Sequence, residues 1–176
     1  AIKRFRKKDY TQEHLKRLFE LSSAEKGKKF EFLGLTAYAE GGKIVLTEEN
    51  ICLPVSIPFE TYRAEEIGGV KLVITEQKPD SGKYLKADAF AIGKNAVVRF
   101  RRKGDRFKKF KGGEKSLGDY FTDEKIPLYL RDRIPLIADG SCVLAVCGVE
   151  ISDAVKTDEN TQKTIYIISE NFSEVT

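Results

Sequence analysis

Residues 98–110 read VRFRRKGDRFKKF, and residues 99–115 together hold nine Lys or Arg against two acids. Guanidinium groups grip phosphate oxygens through paired hydrogen bonds, and ammonium groups add mobile point charge. The candidates are Arg99, Arg101, Arg102, Arg106, Lys108, Lys109 and Lys115, set around a turn at Gly104-Asp105 that would present Arg106. Like charges this dense oppose folding unless an anionic partner or solvent offsets them, and the run exceeds what solubility requires. Phe100, Phe107 and Phe110 are interleaved and could stack on bases. Their size makes a core position the stronger expectation.

Other chemistries find little material. His14 is the only histidine, which excludes His-rich metal sites and leaves Ser-His-Asp catalysis almost no material. There is no GxxxxGK[ST] phosphate loop and no strand–GxGxxG–helix fingerprint. The Gly-Gly pairs at 41–42, 68–69 and 112–113 read as turns, and Glu48-Glu49 and Glu65-Glu66 as solvated pairs. Cys52, Cys142 and Cys147 form no CxxC. The last two lie an odd distance apart, on opposite faces of a regular strand, and read as reduced thiols. Arg131 and Arg133, with Asp132 between them, are ambiguous on pattern alone.

The elements that must position the basic run come from hydrophobic periodicity. At 176 residues, 41% hydrophobic and 33% charged, the chain can build a true core. No apolar run approaches the ~20 residues that span a bilayer, and nothing points outside the cytoplasm. The formal charge of +4 is segregated: +6 over 1–29, −3 over 30–98, +6 over 99–133 and −5 over 134–176. A helix follows the basic lead AIKRFRKKDY, capped by Asp9 or Thr11, with Leu15, Leu18 and Phe19 on one face and His14 solvated. A hairpin turning at 41–42 comes next, then two prolines in ICLPVSIP as edge strands carry them, then KLVIT. NAVVRFRR alternates as a strand, with Val97, Arg99 and Arg101 on one face. KSLGDYF and IPLYLRDRIP frame two short helices, and IPLIADGSCVLAVCGVEI and TIYIIS close the chain as strands. The predicted class is α+β: an N-terminal helix and hairpin, then a mainly antiparallel β domain with two short helices.

One ordered string is more specific than any fragment of it. It runs from Arg99 and Arg101 through Gly104-Asp105-Arg106-Phe107, Gly112-Gly113, Lys115, Leu117 and Asp119-Tyr120-Phe121. It continues with Lys125-Ile126-Pro127, Arg131 and Pro135-Leu136-Ile137, and Gly148 and Thr164–Ile168 also fit. In order and spacing the string resembles the C-terminal domain of the tRNA(Ile)-lysidine synthase family, over roughly 97–168. Residues 11–46 resemble the end of that family's middle, substrate-binding domain. Ala145 stands where the family often has Trp, and Gly118 where it often has Lys.

The resemblance implies an ATP-dependent ligase that attaches lysine to the anticodon wobble cytidine of tRNA(Ile). The family's SGGxDS motif, which carries the adenylation chemistry, is absent from these residues, and so is any methionine. The chain is therefore expected to be a C-terminal portion, inactive alone and without a cofactor of its own. ATP with Mg is expected for the full-length enzyme. The implied organisation is 1–50 as the end of the middle domain, 51–96 as a connecting β segment and 97–176 as a tRNA-binding domain. Implied partners are tRNA(Ile), through its acceptor arm, and the catalytic domain of the same chain, with no membrane and with a homodimer allowed. Arg99, Arg101, Arg106, Lys115, Arg131 and Arg133 fall on the family's basic positions. A stand-alone, non-catalytic RNA-binding module is the alternative reading.

Overall fold

The computed structural model describes residues 10–48, 56–67 and 69–170. The basic lead 1–9 with Asp9, and also Glu49, Cys52, Pro54 and Gly68, lie outside the described residues. The chain divides into two compact units, Ala1–Asn50 with Pro127–Tyr129, and Ile51–Ile126 with Leu130–Thr176.

In the first unit Thr11 caps helix α1, Gln12–Ser22. Its Oγ1 accepts the His14 N–H, and His14 Nδ1 accepts the Thr11 N–H, both at 3.3 Å. Two orphan donors of the first turn are thereby satisfied reciprocally. His14, expected among solvated residues, is half-buried, with its ring 5.6 Å from that of Phe32. Leu18 and Leu21 pack on an antiparallel sheet of β1 (Lys29–Phe32), β2 (Leu35–Ala39) and β3 (Ile44–Glu48). Leu15 and Phe19, expected on the buried face with Leu18, are instead 51% and 77% exposed. A helix resting on a small sheet buries a narrow stripe, here His14, Leu18 and Leu21. Leu15 and Phe19 lie one residue, about 100°, further round. A tight turn at Leu33-Gly34, with φ of 48° and 73°, joins β1 to β2; both residues take the left-handed conformation of a two-residue hairpin turn.

The second unit is built on two sheets. The smaller has the order β5-β6-β14-β7, from β5 (Ala64–Ile67), β6 (Val70–Thr75), β7 (Tyr84–Asp88) and β14 (Thr164–Glu170). The larger has the order β10-β9-β12-β11-β8-β4. Its strands are β4 (Ser56–Pro58), β8 (Val97–Arg99), β9 (Arg106–Lys108), β10 (Glu114–Ser116), β11 (Leu136–Asp139) and β12 (Cys142–Val146). The short β13 (Glu150–Ile151) pairs with β12. All pairings are antiparallel except β12 with β9. Pro58 sits on the edge strand β4, where a missing N–H costs no ladder bond.

The centre of the larger sheet is covered on both faces. Val98, Ile137, Ala145 and Cys147 pack with Leu72, Ala87, Ile165 and Ile167 of the smaller sheet. Leu136, Ala138, Val143 and Val146 pack under helix α2 (Leu117–Asp123), with Phe107, Tyr120 and Phe121. A strand buried on both sides needs apolar residues at every position, which explains the unbroken Val-Leu-Ala-Val of β12. A bulge opposite Ile137/Ala138 places Leu144 beside Ala145 in the same core. The observed class is α+β, with an N-terminal helix, mainly antiparallel sheets and few helices.

Cys142 is exposed and Cys147 buried. Burial pushes the Cys147 thiol from 9.0 up to about 12, and the buried Tyr62 hydroxyl from 10.0 up to about 12. Tyr62 donates to the Leu72 carbonyl at 2.8 Å. Both groups hold their proton more tightly folded than unfolded. The stability they contribute is complete below the unfolded values and is lost as pH rises through the folded ones. Denaturant midpoints should therefore fall between pH 9 and pH 12. The combined Tyr62→Phe and Cys147→Ala variant should show a shallower decline; an equal slope would refute the assignment. In a Cys52→Ser background, DTNB should modify a single thiol in the native protein and a second only after unfolding.

Candidate nucleic-acid interface

Arg99 ends β8, and its neighbour β11 delivers the Gly140 turn beside it. The guanidinium is 1% exposed. Nη1 and Nη2 donate to the two oxygens of Asp105, each at 2.8 Å, and further to the carbonyls of Phe100 at 2.9 Å and Gly140 at 2.7 Å. Asp105 Oδ2 also accepts the Arg102 N–H at 2.7 Å, and the Asp105 carbonyl accepts the Leu117 N–H at 2.8 Å. One buried ion pair thus ties three things together: the loop 100–105, the β11–β12 turn and the start of α2. Gly104, at φ +91°, gives the backbone reversal that lets Asp105 point back at Arg99.

This corrects the expectation for Arg99, which is not a surface group. Its four Nη hydrogens are bonded inside the protein and Nε is buried, so a phosphate could reach the Nη groups only by breaking the pair. The strand stops at Arg99, so the predicted alternation to Arg101 fails and the two do not share an environment. Asp105 is a buried counter-ion whose Oδ2 also accepts from the loop backbone at Arg102.

Beyond the pair, the loop turns outward and Arg101, Arg102 and Lys103 are exposed. Arg101 Nε bonds Asp132. Arg102 and Lys103 form no ion pair among the described residues. Along the β9–β10 hairpin Arg106 pairs with Glu114 at 2.6 Å, Lys108 with Asp153 at 3.3 Å and Lys115 with Asp123 at 2.6 Å. Lys109 bonds Glu124, which raises the ammonium pKa. Six of the nine cations of the run therefore have a carboxylate partner, mostly from elements outside it. Charge density read along the sequence overstates charge density in space.

Arg131 lies on helix α3 (Leu128–Arg131) and departs from expectation in the same way as Arg99. Its Nε donates to the Ile126 carbonyl at 2.8 Å, and Nη1 and Nη2 reach Thr122 Oγ1 and the Phe121 carbonyl at 3.2 and 3.3 Å. It closes the C-terminal end of α2, where orphan carbonyls favour a cation. Arg133 is half-buried and has a partner too. Phe107 is buried in the core and Phe100 packs at its edge, as aromatic size leads one to expect, whereas Phe110 is half-exposed. Ala145 is fully buried, so β12 offers no outward aromatic there.

What the surface can do follows from these burials. Exposed pairs contribute about 0–1 kcal/mol each, so a phosphate can take the place of a surface carboxylate at little cost. The Arg99–Asp105 pair cannot be exchanged that way.

Comparison with known proteins shows what the chain is similar to. Residues 96–167 match the model of the TilS substrate C-terminal domain. A tRNA(Ile)-lysidine synthase of Clostridioides difficile is 30% identical over 173 residues, covering 89% of this chain and 37% of that protein. The tRNA(Ile)-lysidine synthase of Caldanaerobacter subterraneus subsp. tengcongensis is 41% identical over 90 residues, covering 50% of this chain and 19% of that protein. A crystal structure of a TILS C-terminal domain aligns with a TM-score of 0.47 at 25% identity, covering 68% of this chain and 92% of that one. The chain thus spans less than two fifths of the length of the curated relatives it matches. It resembles their C-terminal portion.

Removing one member of the buried pair strands the other. Asp105→Ala should cost about 3–5 kcal/mol in urea unfolding, against about 0–1 kcal/mol for Asp132→Ala, which breaks an exposed pair. Equal costs would show that the Arg99 site is not the anchor of the loop.

Proposed function

We propose, from the likeness to tRNA(Ile)-lysidine synthases that runs over residues 96–167, that this chain is the RNA-recognising portion of such an enzyme. In this reading it binds tRNA(Ile) through the acceptor arm while the lysine-attaching chemistry takes place at the anticodon, on a catalytic domain of the same protein. The observation that carries it is the loop 101–104. A buried bidentate pair fixes the backbone, and three adjacent cations point to solvent from it.

That arrangement suits folded RNA. The major groove of an A-form stem is too narrow for side chains to read, so recognition falls to phosphates, 2′-hydroxyls and shape. A rigid loop displaying Arg101, Arg102 and Lys103 meets that demand without needing base edges. Arg106, Lys108, Lys109 and Lys115 extend the surface along the hairpin once their carboxylate partners give way. Arg99 and Arg131 hold the scaffold from behind. No catalytic step is assigned to these residues, and ATP with Mg enters the proposal only through the catalytic domain. The whole enzyme would work in the cytoplasm, where tRNA is modified.

The test replaces the display and spares the scaffold. Arg101→Ala, Arg102→Ala and Lys103→Ala combined should weaken binding of a tRNA(Ile) transcript at least tenfold. The slope of log affinity against log salt should become shallower by roughly 0.7–0.9 for each lost phosphate contact. The unfolding midpoint should stay within 0.5 kcal/mol of wild type, approximately the range of ordinary surface substitutions. Unchanged affinity and slope would overturn the proposal.

A further inference from the structure

Phe110 stands at the tip of the β9–β10 hairpin and is 49% exposed. Isolated exposed apolar residues are ordinary. Phe19 and Phe90, at 77% and 70%, are of that kind, with no cation over their rings among the described residues. Phe110 differs in having two. Lys156 Nζ lies 4.7 Å and Lys111 Nζ 5.4 Å from its ring centroid. The arrangement is built from two separate segments. Lys111 is its chain neighbour in the hairpin loop, held at φ +53°, while Lys156 follows the 3-10 turn Asp153–Val155. Ser152 joins the segments by donating to the Lys108 carbonyl at 3.1 Å, and Asp153 bridges Lys156 at 2.8 Å and Lys108 at 3.3 Å.

A base stacked on an aromatic side chain contributes more than an exposed cation–π contact does. An arriving base therefore displaces a lysine from the ring, and the displaced ammonium remains within reach of the backbone that arrives with the base. A duplex hides its base faces in its own stack, so the ring selects a base that is not paired. We propose that Phe110, Lys111 and Lys156 form a stacking site for one unpaired base of an RNA ligand, the two lysines taking the flanking phosphates. This rests on the RNA-binding reading above and adds to it a preference for a duplex carrying single-stranded nucleotides.

The chain contains no tryptophan, so Phe110→Trp places a single fluorescent indole at the site. That variant would be titrated with a blunt RNA duplex and with the same duplex carrying a four-nucleotide single-stranded 3′ extension. Binding would be followed separately through a dye on the RNA. Both RNAs should bind, and only the extended one should quench the indole. In the otherwise wild-type chain, Phe110→Ala should weaken the extended RNA by roughly five- to a hundredfold, the equivalent of one lost base stack, and leave the blunt duplex within twofold. Equal quenching by both RNAs, or no quenching while both bind, would overturn the stacking site and leave the RNA-binding reading standing. If neither RNA binds, that reading is overturned, and this one with it.

Discussion

A guanidinium closed off from water has to find its partners inside the protein, and the fold around Arg99 supplies four to its two Nη groups while Nε stays buried without one. Moving an ion pair out of water costs several kcal/mol per ion. Only near-ideal geometry and added hydrogen bonds recover that cost. Here the recovery comes from the two oxygens of Asp105 and the carbonyls of Phe100 and Gly140. The partners come from the loop 100–105 and the β11–β12 turn, so meeting the demand brings these parts together. The loop after β8 must reverse at Gly104, the β11–β12 turn must lie alongside, and α2 must start where its first N–H meets the Asp105 carbonyl. A lysine could not serve, because its single ammonium lacks the planar fork that engages a carboxylate and two carbonyls at once.

The surface obeys the opposite logic. Arg101, Arg106, Lys108, Lys109 and Lys115 have carboxylate partners that are themselves partly or fully exposed. Water screens such pairs, which makes them inexpensive to break and useful as placeholders. They hold long side chains near one geometry and offset the mutual repulsion of the basic run while no ligand is bound. The two arginine–aspartate pairs, Arg99–Asp105 and Arg101–Asp132, lie two residues apart on the chain and differ chiefly in their access to water. That difference separates a structural element from an exchangeable one.

Much of this architecture was legible in the sequence, for reasons that can be named. The Thr11 cap, the turn at Gly104, helix α2 and the alternation of β14 each depend on neighbours within a few residues. Cys142 and Cys147 differ in exposure, but not through regular alternation, because the bulge at Leu144 interrupts the strand between them. The misreadings share one cause, since each depended on how the chain folds back on itself and not on residue type and spacing. Arg99 and Arg101 have the same residue type and the same strand parity, and what tells them apart is the return of Asp105 and the Gly140 turn onto Arg99. Arg131 became a cap because α2 ends beside it. Leu15 and Phe19 had acceptable helical spacing, yet the stripe that was buried depended on where a three-stranded sheet met α1. His14 had polar neighbours in sequence and aromatic ones in space.

On the proposed reading, the rigid and the exchangeable parts divide the cost of binding RNA between them. Ordering a loop on contact with a ligand consumes roughly 1–2 kcal/mol per residue of backbone entropy, which across residues 101–104 would cancel several phosphate contacts. The buried pair incurs that cost during folding, so the loop arrives ordered. What remains is the freezing of individual side chains, about 0.5–1.5 kcal/mol each. For the paired cations part of that freedom is already spent on their carboxylates, and the pair that must break returns little. Arg102 and Lys103, without such partners, have the larger rotamer cost and no pair to break. Both routes come out at a similar expense. The deciding term is therefore the backbone, and the backbone is held by the one arginine in the run that no ligand can touch.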